Sequence, residues 1–175
     1  MTRSSFILSN LLILLFVASC SRTASVNPAN ESVPPAGPGV SSEKLVKAAV
    51  QPVEMPVNGS AEATVQVTVQ NGYHINANPA SYPYLIPTEL TIPETEGVSV
   101  NYTYYPNPLI KKFSFAEEPL RVYEGETPIR VALQAAETAA KGQRSLAATL
   151  RIQACDDQVC YPPGSIAVAI PVLIK

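Results

Sequence analysis

The heptapeptide Ala63-Thr64-Val65-Gln66-Val67-Thr68-Val69 alternates without a break. Val65, Val67 and Val69 fall on one side of an extended chain, and Thr64, Gln66 and Thr68 on the other. A period of two is the mark of a half-buried strand. Comparable apolar runs recur at 84–92, 98–105, 129–135, 146–152 and 166–174, each bounded by Pro, Gly or Asn, the residues that end strands in turns. No window carries a helical stripe, and the short Ala-Ala-Glu-Thr-Ala-Ala-Lys run at 135–141 reads as a turn between strands. Six or seven short strands at this spacing predict an all-β domain, an antiparallel β-sandwich, with a barrel as the alternative. The 17 prolines and the 15% share of charged residues fit a turn-rich globular fold. With a formal charge of −2 and twelve scattered basic residues, the chain has no field that would gather nucleic acid.

The N-terminus follows other rules. Arg3 precedes an apolar run over 6–18 that ends in Val17-Ala18-Ser19-Cys20, which reads as an export signal over residues 1–19. The run is too short for a membrane span, which needs roughly 20 residues. Its end resembles a bacterial lipobox, in which Cys20 would become the lipidated N-terminus; an uncleaved anchor or an ordinary secretory signal are the alternatives. Residues 20–44, rich in Pro and Ser, read as a flexible tether, and residues 45–175 as the folded domain. The expected address is the periplasmic face of a bacterial membrane. Ser21 supplies no retention signal, which makes the outer membrane the default.

With Cys20 assigned to lipid, Cys155 and Cys160 remain as a pair in an oxidising compartment. They lie between the runs 146–152 and 166–174 and flank the turn Asp156-Asp157-Gln158-Val159. Residues opposite each other across a hairpin stand about 4.5–5.5 Å apart at Cα, within disulfide range. Closing so short a loop restricts the unfolded chain by only roughly 2 kcal/mol, so an exchange site and a structural clasp both stay open. Asp156 and Asp157 disfavour a thiolate, and an exchange site built there would act when a partner docks. The same two residues also suit a turn whose side chains bond backbone amides. A third reading is a soft copper site formed by His74, Met55 and the cysteines, although a lone histidine on a strand is more simply structural. No cofactor is expected.

The stretch 152–163, "IQACDDQVCYPP", resembles the N-terminal periplasmic domain of the thiol:disulfide interchange protein DsbD, whose pattern is close to Y-Q-A-C-x-x-x-x-C-Y-P-P. Residues 71–90 and "VYEGETPIRV" at 122–131 look like further parts of that domain, and the resemblance covers approximately 50–175. It implies an immunoglobulin-like β-sandwich that acts as a protein-disulfide reductase component. Cys160 would form the mixed disulfide and Cys155 would resolve it. Reducing equivalents would come from a membrane-embedded thiol reductase and pass to exported thioredoxin-fold proteins, all met in trans, since the transmembrane and thioredoxin-like domains of the full-length reductase are not in this sequence. The resemblance also implies a cap loop over the cysteines, here 107–125 with Phe113 or Phe115 as the shield. Tyr73, Tyr161, Asp156 and Asp157 would surround the pair. His74 and Asn76 stand where tyrosines can follow Gly-Tyr in the family.

Overall fold

The computed structural model describes residues 39–95 and 97–175; the export signal, Cys20 and most of the tether lie outside the described residues. Among these residues a 3-10 turn, Ser42–Lys44, leads into twelve strands. They are β1 (Val46–Val50), β2 (Val53–Met55), β3 (Ser60–Val69), β4 (His74–Asn76), β5 (Glu89–Thr91) and β6 (Val98–Tyr104) in the first half of the domain. The second half holds β7 (Leu109–Lys111), β8 (Leu120–Tyr123), β9 (Glu126–Ala135), β10 (Gly142–Ile152), β11 (Ala154–Cys155) and β12 (Gly164–Ile174). Three four-stranded sheets result, in the orders β1-β3-β9-β6, β2-β12-β10-β5 and β11-β4-β8-β7. Every pairing is antiparallel except β2 with β12.

The first two sheets make the sandwich, and alternation explains why they pack. Val65, Val67 and Val69 of β3, Ile129, Val131 and Leu133 of β9, Leu146, Leu150 and Ile152 of β10, and Ile170, Val172 and Ile174 of β12 are all buried in one cluster. Each such side chain contributes roughly 1.5–3 kcal/mol by leaving water. The fold is therefore an all-β, immunoglobulin-like antiparallel sandwich, as expected. One run departs from expectation: of 84–92 only Glu89–Thr91 is a strand. Pro87 within the run and Pro83 just before it lack the amide donors a ladder needs.

The third sheet places the candidate site residues. In its β4–β11 and β4–β8 ladders Ile75 faces Ala154 and Tyr123, while His74 faces Cys155 and Asn76 faces Val122. Ile75, Ala154 and Tyr123 extend the sandwich core. On the opposite side Leu120, Val122, Leu85 and Phe113 form a second small cluster, with Cys160 packed against it. Two faces of one short sheet thus separate the structural core from the cysteine site.

The same topology corrects the copper constellation. Met55 pairs with Ile174, whereas Gly164 at the other end of β12 pairs with Ile152, just before the cysteine segment. Ten residues of strand separate the two ends, roughly 33 Å at about 3.3 Å per residue. Met55 and the cysteines cannot share one ion.

The folded part also begins earlier than Leu45. Ser42, read from sequence as tether, is wholly buried, and its Oγ donates to Pro162 O at 2.7 Å while accepting from Ala154 N at 2.9 Å. Gly164 is a necessary neighbour, because a Cβ there would stand 3.0 Å from Glu43 N and 2.0 Å from Glu43 Oε2. Ser42→Ala should leave the buried Ala154 N–H without its acceptor and cost about 1–3 kcal/mol. A lower urea midpoint at unchanged m-value checks this; an unchanged midpoint would show that the clasp contributes nothing.

Candidate thiol–disulfide site

The cysteine segment is a miniature hairpin set on the end of β10. Tyr161 N donates to Ala154 O at 2.8 Å and Asp156 N to Val159 O at 2.9 Å. Between these bonds Cys155 and Cys160 face each other and are joined by a disulfide, with a Cα separation of 3.9 Å. This is closer than the spacing expected for an ordinary hairpin pair.

Asp156 shapes the turn. Its Oδ1 accepts from Gln158 N and Val159 N, each at 2.8 Å, and its Oδ2 accepts from the Tyr161 hydroxyl. Burial alone would raise its pKa, but the bonds from Tyr161, Val159 and Gln158 outweigh burial and hold the carboxyl below its ordinary value. Asp156 thus spends its lone pairs on local donors, the behaviour of an Asx turn. Asp157 is exposed and contributes its backbone carbonyl, which accepts from Ser114 Oγ at 2.9 Å.

That last bond ties the turn to the cap, residues 112–119 between β7 and β8. Phe113 is only 5% exposed and lies flat on the His74 ring, with centroids 4.1 Å apart and planes 21° from parallel. Phe115 stacks in turn on Phe113 at 5.4 Å but is 39% exposed. Of the two candidate shields, Phe113 is therefore the inner ring and Phe115 the rim. The cap is braced at its base by the Lys111–Glu124 ion pair at 2.6 Å.

The two sulfurs differ in access. Cys155 is 0% exposed, while Cys160 is partly exposed and borders a groove of about 450 Å³ lined by Tyr84, Leu85, Phe115, Leu120 and Val159. Tyr73 and Tyr161 lie beneath, buried in the sandwich core with their rings tilted at 6.0 Å. The groove wall is held by Gln153, whose Oε1 accepts from Asn76 Nδ2 at 3.1 Å and Ile86 N at 3.0 Å. Thr88 Oγ1 donates to Asn76 O at 2.6 Å and completes the lock.

His74, in the sequence a ligand of the copper reading and a departure from the family's tyrosines, is brought by the fold to the cysteine pair. It sits directly opposite Cys155, is buried, and its Nε2 has no hydrogen-bond partner among the described residues. Burial pushes its pKa down to about 4, against smaller upward effects of Glu124, Asp157 and Asp156 and with a further downward effect of Lys111. The imidazole is neutral at pH 7. Gln153 was visible only as a letter of the cysteine motif, and Ser42 had no signal at all.

A family model described as "Thiol:disulfide interchange protein DsbD, N-terminal" matches residues 42–170, a span that holds the cysteine pair, the cap and His74. No curated protein matches the chain at a significant level. Among solved structures, the DsbD N-terminal domain of Neisseria meningitidis in its reduced form is 15% identical and covers 75% of this chain and 88% of its own, with a TM-score of 0.49. The N-terminal periplasmic domain of ScsB from Proteus mirabilis is 14% identical, with coverage of 71% and 44% and a TM-score of 0.49.

Proposed function

Because the chain belongs to the family of the N-terminal domain of the thiol:disulfide interchange protein DsbD, we propose that it relays reducing equivalents by thiol–disulfide exchange through Cys155 and Cys160. The unequal burial of the two sulfurs carries the assignment of roles. An incoming thiolate must approach a disulfide sulfur closely, and only Cys160 borders an open groove. In loading, the partner's thiolate bonds to Cys160 Sγ, the Cys155–Cys160 bond breaks with Cys155 leaving as a thiolate that takes up a proton, and the partner's second thiol frees the reduced pair. In unloading, Cys160 attacks a client disulfide and Cys155 resolves that mixed disulfide. The apolar rim of Tyr84, Phe115 and Val159 suits a partner that buries its own reactive cysteine in contact. On this reading a membrane-embedded thiol reductase loads the pair and exported thioredoxin-fold proteins unload it. The domain is a protein-disulfide reductase component, held by a lipid on Cys20 at the periplasmic face of a bacterial membrane, by default the outer one.

The test is a redox titration with a trapping experiment. The wild-type pair should equilibrate with a glutathione or dithiothreitol couple at a potential above about −300 mV, the level below which structural disulfides of secreted proteins lie. Cys155→Ser should accumulate a mixed disulfide with a thioredoxin-fold partner, and Cys160→Ser should form none. A pair below that potential and inert to every such partner in the folded state would leave a structural clasp as the answer.

A further inference from the structure

Cys155 is wholly buried, so the proton of its thiol has no direct path to solvent when the sulfur acts as the resolving group. Resolution needs a thiolate, and both burial and the adjacent carboxylates oppose one. A proton acceptor beside the sulfur lowers that obstacle, because the negative charge growing on the sulfur raises the acceptor's basicity above the value it has beside the disulfide. His74 is the one histidine of the chain, and it faces Cys155 across the β4–β11 ladder. Directly opposed residues project their side chains from the same face with Cβ atoms about 4.5–5.5 Å apart. The ring is fixed against Phe113, which also seals it from above. Its Nε2 is buried without a partner among the described residues while the cysteines are joined, and a buried polar atom left unpaired calls for an explanation. A disulfide sulfur has no proton to give; the Cys155 thiol of the reduced protein has one.

We propose that His74 is the acid–base partner of Cys155, its Nε2 taking the thiol proton as the sulfur attacks and returning it when exchange runs in reverse. The inference rests on the reading that the pair exchanges with a partner. In the resolving step the Cys155 sulfur uses its electron pair to bond Cys160 Sγ, and the bond from Cys160 to the partner's sulfur breaks. The partner leaves as a thiolate. The proton moves from Cys155 to Nε2 and from there to the departing thiolate, so one thiol and one mixed disulfide become one disulfide and one thiol. No further oxidant or reductant enters. Glu124, beyond β8, together with Asp156 and Asp157 on the cysteine turn, favours the transient imidazolium, whereas Lys111 on β7 opposes it.

Reaction of the fully reduced protein with Ellman's reagent separates the steps, because attack by Cys160 releases one thionitrobenzoate and resolution by Cys155 releases the second. His74→Phe keeps a ring against Phe113, and His74→Gln keeps hydrogen bonding without a basic nitrogen. Both variants should slow the second release by about tenfold or more, the range of general-base contributions starting near 10², while the first release stays within about twofold. The second release in the variants should also rise about tenfold per pH unit below the thiol's pKa, more steeply than in the wild type, as expected when hydroxide must do the base's work. A second release within twofold of wild type, in a variant that unfolds cooperatively in urea, overturns the proposal. A structural role for His74 would shift the unfolding midpoint without separating the two phases. Failure of the exchange reading itself would appear elsewhere, as a wild-type potential below about −300 mV.

Discussion

Phe113→Ala should lower stability by about 3 kcal/mol and speed reduction of the disulfide by dithiothreitol more than tenfold. Phenylalanine-to-alanine changes in cores cost about 3–5 kcal/mol, the lost transfer energy plus the cavity left behind. The lower end applies because Phe113 lies on a loop that can settle toward Leu85, Leu120 and Val122. The kinetic effect has a separate cause: the same ring that fills the small cluster also stacks on His74, the residue opposite Cys155. Phe115→Ala is the control. Its ring is far more exposed and its removal should cost less than about 1 kcal/mol, near the range of ordinary surface changes. Urea midpoints and pseudo-first-order reduction rates check both. Equal losses from the two substitutions would mean that the shield is shared and that Phe113 is not the inner ring.

A second large effect follows from acid. The folded protein holds His74 with a pKa of about 4 because its imidazolium would be buried, whereas an unfolded histidine titrates near 6.5. Between those values the unfolded state binds a proton that the folded state does not. Stability is therefore unaffected by this group above about pH 6.5 and declines as pH falls toward 4. A gap of about 2.5 units at 1.36 kcal/mol each corresponds to about 3 kcal/mol. Asp156, whose carboxyl is held low by its three donors, adds a loss of the same sign at still lower pH, as the folded carboxyl takes up its proton. His74→Phe should flatten the curve between pH 6.5 and 4 and leave the more acidic limb in place. Urea titrations across that range decide the matter; an unchanged slope in the variant would mean that the ring is accessible to protons while folded.

The sandwich was legible because its long strands alternate. Val65, Val67 and Val69, and likewise the inner residues of β9, β10 and β12, carry the period in consecutive letters, and burial follows the period. Strands β2, β4 and β7, of three residues each, are too short for any period to declare itself. The run at 84–92 misled for the opposite reason, since it is apolar enough for a strand but Pro87 interrupts the ladder. In the site, the disulfide was readable because its two cysteines and their turn are neighbours in sequence. The stack of Phe113 on His74 joins residues 39 positions apart, and nothing in either local segment announces the other. His74 in particular read most simply as a lone structural residue on a strand, and the β4–β11 register sets it directly opposite Cys155.

These differences in range bear on how the protein matures. Cys155 and Cys160 are five positions apart, so a nascent or unfolded chain can oxidise them with no help from the fold. The walls around them are a different matter: Ser42 reaches Pro162 and Ala154 across more than a hundred residues, and Phe113 and the Asn76 and Ile86 partners of Gln153 come from still other parts of the chain. Contacts of such long sequence separation form late, after the entropy of closing large loops has been overcome. The bond therefore precedes its enclosure. During that interval any thiol in the compartment can open the disulfide, and once β12 has zipped onto β10 only a reagent that enters the groove can do so. Folding, on this view, acts as the step that turns a generic cystine into a selective one.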